Sequence, residues 1–232
     1  MTRKTIIITL GLIIGLINTQ ASYSQIQHLP EVWSSFKVDT RIWEDWGISY
    51  NLEYRAHLNQ MNVKDILFDI EAYDDLNKYF KIEYAHRFLS YGIFGTYNGS
   101  STLFQRDALA LTFKEEKKRF EFSFRTRFQT GYYQFTKFSG SLFSELTHRN
   151  RMEAEYNFKK TPHKGYISLE NFVKIKQKEY EFEKWRFKLG DKYKINDSVS
   201  ADFSYFIERP FNIKNAIIYH VFNIQLKVKF DT

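Results

Sequence analysis

The chain of 232 residues is long enough for one large domain or two small ones, and its formal net charge is +7. It contains no cysteine, which excludes disulfides, thiolate metal sites and cysteine nucleophiles. Aromatic residues make up 19% of the chain and charged residues 26%. A chain so rich in both classes is predicted to be ordered, with its rings and its charges kept on separate surfaces.

The first 24 residues have the pattern of a secretory signal peptide. Two basic residues precede an apolar run from Ile6 to Ile17, and small residues precede a cleavage site before Gln25. As a helix, this run would span about 18 Å, short of the hydrocarbon core of about 30 Å, so a membrane anchor is the weaker interpretation. We expect residues 1–24 to be removed and residues 25–232 to form the mature protein.

The mature chain alternates between apolar and polar residues with a period of two. Phe120, Phe122 and Phe124, for example, are separated by Glu121 and Ser123. This period predicts strands with one apolar and one polar face. Eleven clear strands are predicted, at 32–42, 47–58, 65–73, 79–88, 103–113, 119–130, 144–158, 165–175, 184–195, 199–209 and 216–230.

These strands are long, and the connections between them differ in length. Ordinary strands have about 5–6 residues, whereas a tilted strand needs about 9–11 to cross a bilayer. Short connections such as 114–118 alternate with longer ones such as 89–102 and 131–143, as in bacterial outer-membrane barrels. The sequence therefore predicts an all-β transmembrane antiparallel up-and-down β-barrel. Since such barrels have an even number of strands, a short strand at 25–31 would give about twelve, with ten as the fallback.

Aromatic residues concentrate beside the short connections. Because amphipathic rings favour the membrane–water boundary, we predict one aromatic girdle, formed by Trp43, Trp46, Phe113, Phe120, Phe158, Tyr193 and Phe230. Four lysines, Lys192, Lys194, Lys227 and Lys229, belong to the same end. We favour snorkelling to the interface for them over attraction of anionic solutes or lipid head groups.

The polar faces of the strands carry charges of both signs. A charge on the lipid face of a barrel costs about 2–4 kcal/mol near the midplane, so these faces are predicted to line the lumen. The predicted lumen-lining residues are Glu53, Arg55, Glu83, Arg87, Glu121, Arg125, Arg127, Arg149, Arg151, Glu153, Glu155 and Arg186. Mixed signs favour a lumen closed by an Arg–Glu network, and a narrow channel with a slight preference for anions is the other interpretation.

The sequence predicts no catalytic, cofactor-binding or metal site. His148 with Asn150 two residues later resembles the outer-membrane phospholipase, but that family has a serine at the second position, and asparagine cannot form an acyl intermediate. The six histidines are scattered without ligand spacing. Glu153 and Glu155 share a face, but beside two arginines we expect ion pairs rather than an acid–base couple.

Several short motifs carry a resemblance to known families. The alternation Phe222, Ile224, Leu226, Val228, Phe230 resembles the signal that the barrel assembly machinery recognises, although Asp231 and Thr232 follow it. Trp33, the run Glu53-Tyr54-Arg55 and the segment 149–153 resemble an uncharacterised family of Gram-negative outer-membrane β-barrel proteins, a domain of unknown function. This resemblance implies a barrel fold and no established activity.

The sequence thus predicts an integral barrel of a Gram-negative outer membrane, either a narrow channel or a plugged structural or surface protein. Its expected partners are outer-membrane lipid, the barrel assembly machinery and, for an open lumen, a small solute. Secretion and lipid-length strands argue against nucleic acid. The alternatives are a soluble periplasmic β-barrel or sandwich that binds a small ligand, and an outer-membrane lipid-hydrolysing enzyme.

Overall fold

The computed structural model describes residues 27–59, 62–91, 102–133, 145–176, 179–211 and 216–231. The predicted signal peptide, residues 1–24, lies outside this part of the chain. The described residues include no helix long and apolar enough to cross a membrane. They form eleven strands: β1 (Gln27–Arg41), β2 (Trp46–His57), β3 (Asn62–Asp74), β4 (Phe80–Tyr91), β5 (Thr102–Lys117), β6 (Phe120–Tyr133), β7 (Glu145–Asn157), β8 (His163–Lys176), β9 (Glu179–Lys194), β10 (Val199–Pro210) and β11 (Ile217–Asp231).

The strands close into a single barrel in which each strand pairs with its neighbours in sequence. All these sequential pairs are antiparallel, and the barrel closes through a parallel pair of β1 and β11, in which Trp33 lies opposite Asn223. One parallel pair is required because strands of alternating direction cannot otherwise close an odd-numbered ring. The prediction of an all-β up-and-down barrel is confirmed.

The described residues form eleven strands, close to the predicted count of about twelve. Residues 27–31, expected as part of a separate short strand, continue directly into β1. Pro30 is tolerated because the β1–β2 ladder begins only at Glu31, so the missing N–H removes no bond from that ladder. The carbonyl of Pro30 accepts a hydrogen bond from the N–H of Leu58 at 3.0 Å.

Side chains alternate across the barrel wall, with polar groups inside and apolar groups outside. In β2, Asn51 is 7% exposed and points into the lumen, whereas the next residue, Leu52, is 52% exposed on the outer surface. Leu109 and Met152, on other strands, are similarly exposed. A soluble β-sandwich has the reverse arrangement, because it buries its apolar faces.

The two ends of the barrel have different connections. One end, called the turn end below, has the short connections 42–45, 75–79, 118–119, 158–162 and 195–198. The opposite end, called the loop end, includes the connections 92–101 and 134–144, which lie outside the described residues. β3 and β9 begin earlier than predicted, so their preceding connections are shorter than expected.

Inward-facing glycines admit aromatic rings into the wall of the barrel. A Cβ atom on Gly190 would lie 2.5 Å from the ring of Tyr166, and one on Gly131 would overlap the ring of Phe104. Rings that cover glycines in this way help a sheet to curve.

Candidate functional site

The inward side chains enclose a cavity of about 490 Å³ in the lumen. Its lining carries eleven bases and six acids: Lys37, Arg55, Lys64, Arg87, Arg106, Arg125, Arg127, Arg149, Arg151, Lys184 and Arg186, against Glu31, Glu53, Asp65, Asp69, Glu71 and Glu208. Two further acids, Glu83 and Glu170, pair with these arginines from outside the lining. The bases remain in excess when these two acids are included.

One wall of this cavity neutralises its own charges. Asp69 on β3 lies directly opposite Arg87 on β4. Arg87 donates through Nε and Nη2 to the two carboxylate oxygens of Asp69, at 2.5 and 2.7 Å. A two-pronged contact of this kind is among the strongest that arginine makes. Asp69 and Arg87 are called the paired wall below.

The wall formed by β6 and β7 sets arginine against arginine. Arg125 lies directly opposite Arg151, and Arg127 lies directly opposite Arg149. These four residues are called the arginine wall below. Like charges directly opposite one another destabilise a sheet, so this wall needs carboxylates from other strands.

Two of the four arginines have a close carboxylate partner. Arg127 donates through Nη2 to Glu83 on β4 at 2.5 Å. Arg149 donates through Nη2 to Glu170 on β8 at 2.8 Å. These two contacts hold one arginine of each strand in a strong ion pair.

The other two arginines reach carboxylates only at the margin of ion-pair distance. Arg125 lies 3.6 Å from Glu83 and 3.7 Å from Glu170. Arg151 lies 3.9 Å from Glu153. None of these three distances is short enough for a hydrogen bond. Arg125 and Arg151 are therefore the least neutralised members of the arginine wall.

Apolar side chains interrupt the polar lining toward the loop end. They form two clusters, Trp33 with Phe206 and Val221, and Leu67 with Leu89 and Phe104. The guanidinium of Arg55 lies 3.6 Å from the centroid of the Trp33 ring, a cation–π contact. The sequence interpretation missed both clusters. The available signal was an aromatic residue at a polar position of the alternation, as at Phe206 between Ser204 and Glu208.

A second cavity, of about 500 Å³, lies at the turn end. Its charged lining consists of six lysines and two aspartates: Lys37, Lys164, Lys192, Lys194, Lys227, Lys229, Asp197 and Asp202. Lys37 and Gln225 line both cavities, so the two lie in series along the lumen. In the lining of each cavity, bases outnumber acids.

The expected snorkelling of lysines at the turn end is wrong for Lys192 and Lys227. Both occupy inward positions of their strands, and Lys192 donates to Glu155 at 2.5 Å and to Glu153 at 3.1 Å. Lys227 pairs with Asp39 at 2.7 Å. The two glutamates are held in ion pairs, as predicted, although mainly by this lysine of β9 rather than by arginines of their own strand.

The structure gathers most of the predicted lumen residues around the first cavity. Its lining contains Glu53, Arg55, Arg87, Arg125, Arg127, Arg149, Arg151 and Arg186. Arg186 also donates to Glu208 at 2.6 Å. Glu121 lies apart from this group, near the turn end, and pairs with Lys114 at 3.1 Å.

The predicted girdle residues all lie at the turn end, and most are exposed there. Their rings contact further aromatics: the centroids of Phe113 and Phe80 are 5.4 Å apart, and those of Phe120 and Tyr156 are 4.9 Å apart. A second exposed aromatic group lies at the loop end, and the sequence interpretation missed it: Tyr180, Phe182 and Phe211.

The histidine of the phospholipase-like segment lies on the outer surface. His148 Nε2 is 2.8 Å from the hydroxyl of Thr126, and the His148 ring stacks on Phe128 with centroids 4.4 Å apart. The N–H of Asn150 donates to the side chain of Asn171 at 3.2 Å. Within the described residues, no group of three or more His, Asp and Glu side chains is arranged to hold a metal ion.

The fold and the lumen define a closed β-barrel with a charged interior and an apolar outer surface. The chain belongs to a family described as "Protein of unknown function (DUF2490)", whose sequence profile matches residues 31–216. This membership confirms the resemblance to a domain of unknown function.

Two further comparisons concern curated sequences and solved structures. No curated protein sequence matches the chain. A solved structure described as the NanC porin in a rhombohedral crystal form is similar, with 14% sequence identity, a TM-score of 0.47, and coverage of 77% of this chain and 87% of that one. A likeness at this level carries no argument about activity.

Proposed function

We propose that the protein is an integral barrel of a Gram-negative outer membrane and gives small anionic solutes a narrow route through its lumen. The observation that carries this proposal is the excess of bases along two cavities in series: the two linings together carry sixteen bases, with Lys37 counted once, and eight acids. Inside a wall of low dielectric, such an excess raises the local concentration of anions.

The outer surface supports the membrane part of the proposal. Large apolar side chains cover the outside of strands that are 12 to 16 residues long, enough for tilted strands to cross a bilayer. Exposed aromatic groups lie at both ends, as expected at two membrane–water boundaries. During export, we expect the signal peptide to be cleaved and the barrel assembly machinery to recognise the C-terminal strand. Lipid then surrounds the folded barrel.

The proposal includes no catalysis. Asn150 stands where a serine nucleophile would be needed. The hydroxyl beside His148 belongs to Thr126, on the outer surface and away from the basic lumen. The charged groups of the lumen are instead engaged with one another or left available to solute.

The transport claim is tested with refolded full-length protein in planar bilayers under a KCl gradient. We expect a small conductance whose reversal potential has the sign of chloride preference. Lys37→Gln should lower that preference, because Lys37 stands where the two cavities meet. Arg119→Gln removes the same charge from a turn outside both cavities and should leave it unchanged. No conductance, or a preference for potassium, would contradict the proposal.

The membrane claim is tested by placing a charge on the outer surface. Leu109 lies halfway along β5 and is 53% exposed. Leu109→Lys should destabilise the barrel in lipid vesicles by about 2–4 kcal/mol, whereas Tyr180→Lys, near the loop end, should cost about 0–1 kcal/mol. Chemical unfolding measures both. Equal costs for the two variants, or recovery of the native protein in the soluble periplasm, would refute membrane insertion.

A further inference from the structure

We propose that Arg125 and Arg151 form a specific binding site for a doubly charged oxyanion, a phosphate group free or carried on a small solute. The inference rests on the proposed function for the supply of such solutes through the lumen. It goes further because it assigns the recognition to one pair of residues rather than to the general charge of the lining.

The placement of Arg125 and Arg151 allows both to contact one ligand. Arg125 and Arg151 are directly opposite each other on β6 and β7, with both side chains on the lumen face. Side chains paired in this way leave strands at Cβ separations of about 4.5–5.5 Å, so two guanidinium groups can converge on one ligand. The planar guanidinium fork matches the spacing of phosphate oxygens.

The arginine wall has buried hydrogen-bond donors without an acceptor in the described residues. Among the residues that the structure describes, the buried Nε atoms of Arg125, Arg127 and Arg151 have no hydrogen-bond partner. Leaving a buried donor unsatisfied is costly, and more so when the group is charged. Three such donors on one wall of a cavity point to a ligand that accepts hydrogen bonds.

The arginine wall also carries more positive than negative charge. Four guanidinium groups of the arginine wall face two carboxylates, Glu83 and Glu170, within 3.7 Å. Glu170 is also shared with Arg186, at 3.4 Å. Counted over the described residues, the wall therefore lacks about two negative charges, which is close to the charge of a phosphate group at neutral pH.

The carboxylate of Glu153 also lies near the arginine wall but does not supply the missing negative charge. Glu153 lies 3.9 Å from Arg151 but accepts a hydrogen bond from Lys192 at 3.1 Å. The cavity, at about 490 Å³, falls within the range of about 300–1,000 Å³ in which small ligands bind. It can therefore hold a small phosphate-bearing solute as well as inorganic phosphate.

The test is calorimetric titration of refolded full-length protein in detergent with inorganic phosphate, at an ionic strength held constant with chloride. We expect saturable binding to the native protein. Arg125→Gln and Arg151→Gln should each raise Kd at least about tenfold, since each removes charge-assisted hydrogen bonds. The Kd of Arg125→Lys should lie between those of the native protein and Arg125→Gln, because lysine keeps the charge but lacks the planar fork of the guanidinium. Arg119→Gln, the matched control, should bind like the native protein.

The site is overturned if the native protein binds phosphate no better than chloride, or if both glutamine variants keep native affinity. Heat-modifiable gel mobility reports folding of each variant. If a glutamine variant does not fold, two other measurements test the site. These are the phosphate affinity of Arg125→Lys and the thermal stabilisation of the native barrel by phosphate relative to chloride. A barrel that binds phosphate without conducting refutes the proposed function alone. A barrel that conducts anions with unchanged phosphate affinity in both variants refutes this site alone.

Discussion

The paired wall and the arginine wall hold their arginines in opposite ways. In the paired wall, Arg87 meets Asp69 directly across the strand pair and donates to both of its carboxylate oxygens. In the arginine wall, Arg125 meets Arg151, and the nearest carboxylates of these two arginines lie 3.6 Å or more away. The first arrangement is complete without a ligand, and the second is not.

This difference separates a structural role from a binding role within one lumen. A buried ion pair is destabilised strongly when one partner is removed, because the other charge is left uncompensated. Removing one of two arginines that repel each other should instead raise the stability of the barrel. Stability and ligand affinity are therefore expected to depend on different walls, and substitutions can separate them.

The largest effect is expected in the paired wall. Asp69→Asn leaves the guanidinium of Arg87 buried without its counter-charge, and should lower the free energy of unfolding by about 3–5 kcal/mol. Denaturant unfolding of the barrel in detergent measures this loss. Phosphate affinity should change little, because the close ion pair of Asp69 is with Arg87 rather than with Arg125 or Arg151. A loss below about 1 kcal/mol would show that the paired wall is not structural.

An intermediate effect is expected for the carboxylate that serves the arginine wall. Glu170→Gln removes the close partner of Arg149 and a shared partner of Arg186, and should cost about 1.5–3 kcal/mol of stability. The same change makes the wall more positive, so phosphate affinity should rise. Denaturant unfolding tests the expected loss of stability, and calorimetric titration of the same preparation tests the expected gain in phosphate affinity. Weaker phosphate binding in this variant would mean that Glu170 orients the site rather than opposing the ligand.

The smallest effect is expected for Arg125→Gln without ligand. Removing a charge that faces Arg151 relieves repulsion, so stability should stay within about 1 kcal/mol of native and shift toward greater stability. Arg87→Gln is the matched comparison and should cost several times more, because it strands the carboxylate of Asp69. Equal losses for the two variants would remove the distinction between the walls.

The sequence predicts the strands well because alternation is a local property. The strand predicted at 199–209 is observed as Val199–Pro210, and the one at 216–230 as Ile217–Asp231. The separate short strand expected at 25–31 is not seen in the described residues, because residues 27–31 continue directly into β1. The inward residues followed from the same alternation, since a period of two decides which face each residue takes.

The binding pair could not be predicted, because it depends on register and on contacts between distant strands. A shift of two residues between β6 and β7 would keep every side chain on its face but set Arg125 against Glu153 instead of Arg151. The carboxylate of Glu83 reaches Arg127 from β4, beyond the intervening β5. Such proximity follows from the curvature of the closed barrel and leaves no trace in local sequence.

The most direct test of the difference between the walls is an anomalous-scattering map from a crystal of the protein soaked in selenate, a heavy analogue of a doubly charged oxyanion. The difference between the walls predicts a selenium peak that places selenate oxygens within hydrogen-bond distance of both Arg125 and Arg151, and no peak at Arg87. A peak at Arg87, or an arginine wall without selenium, would contradict it.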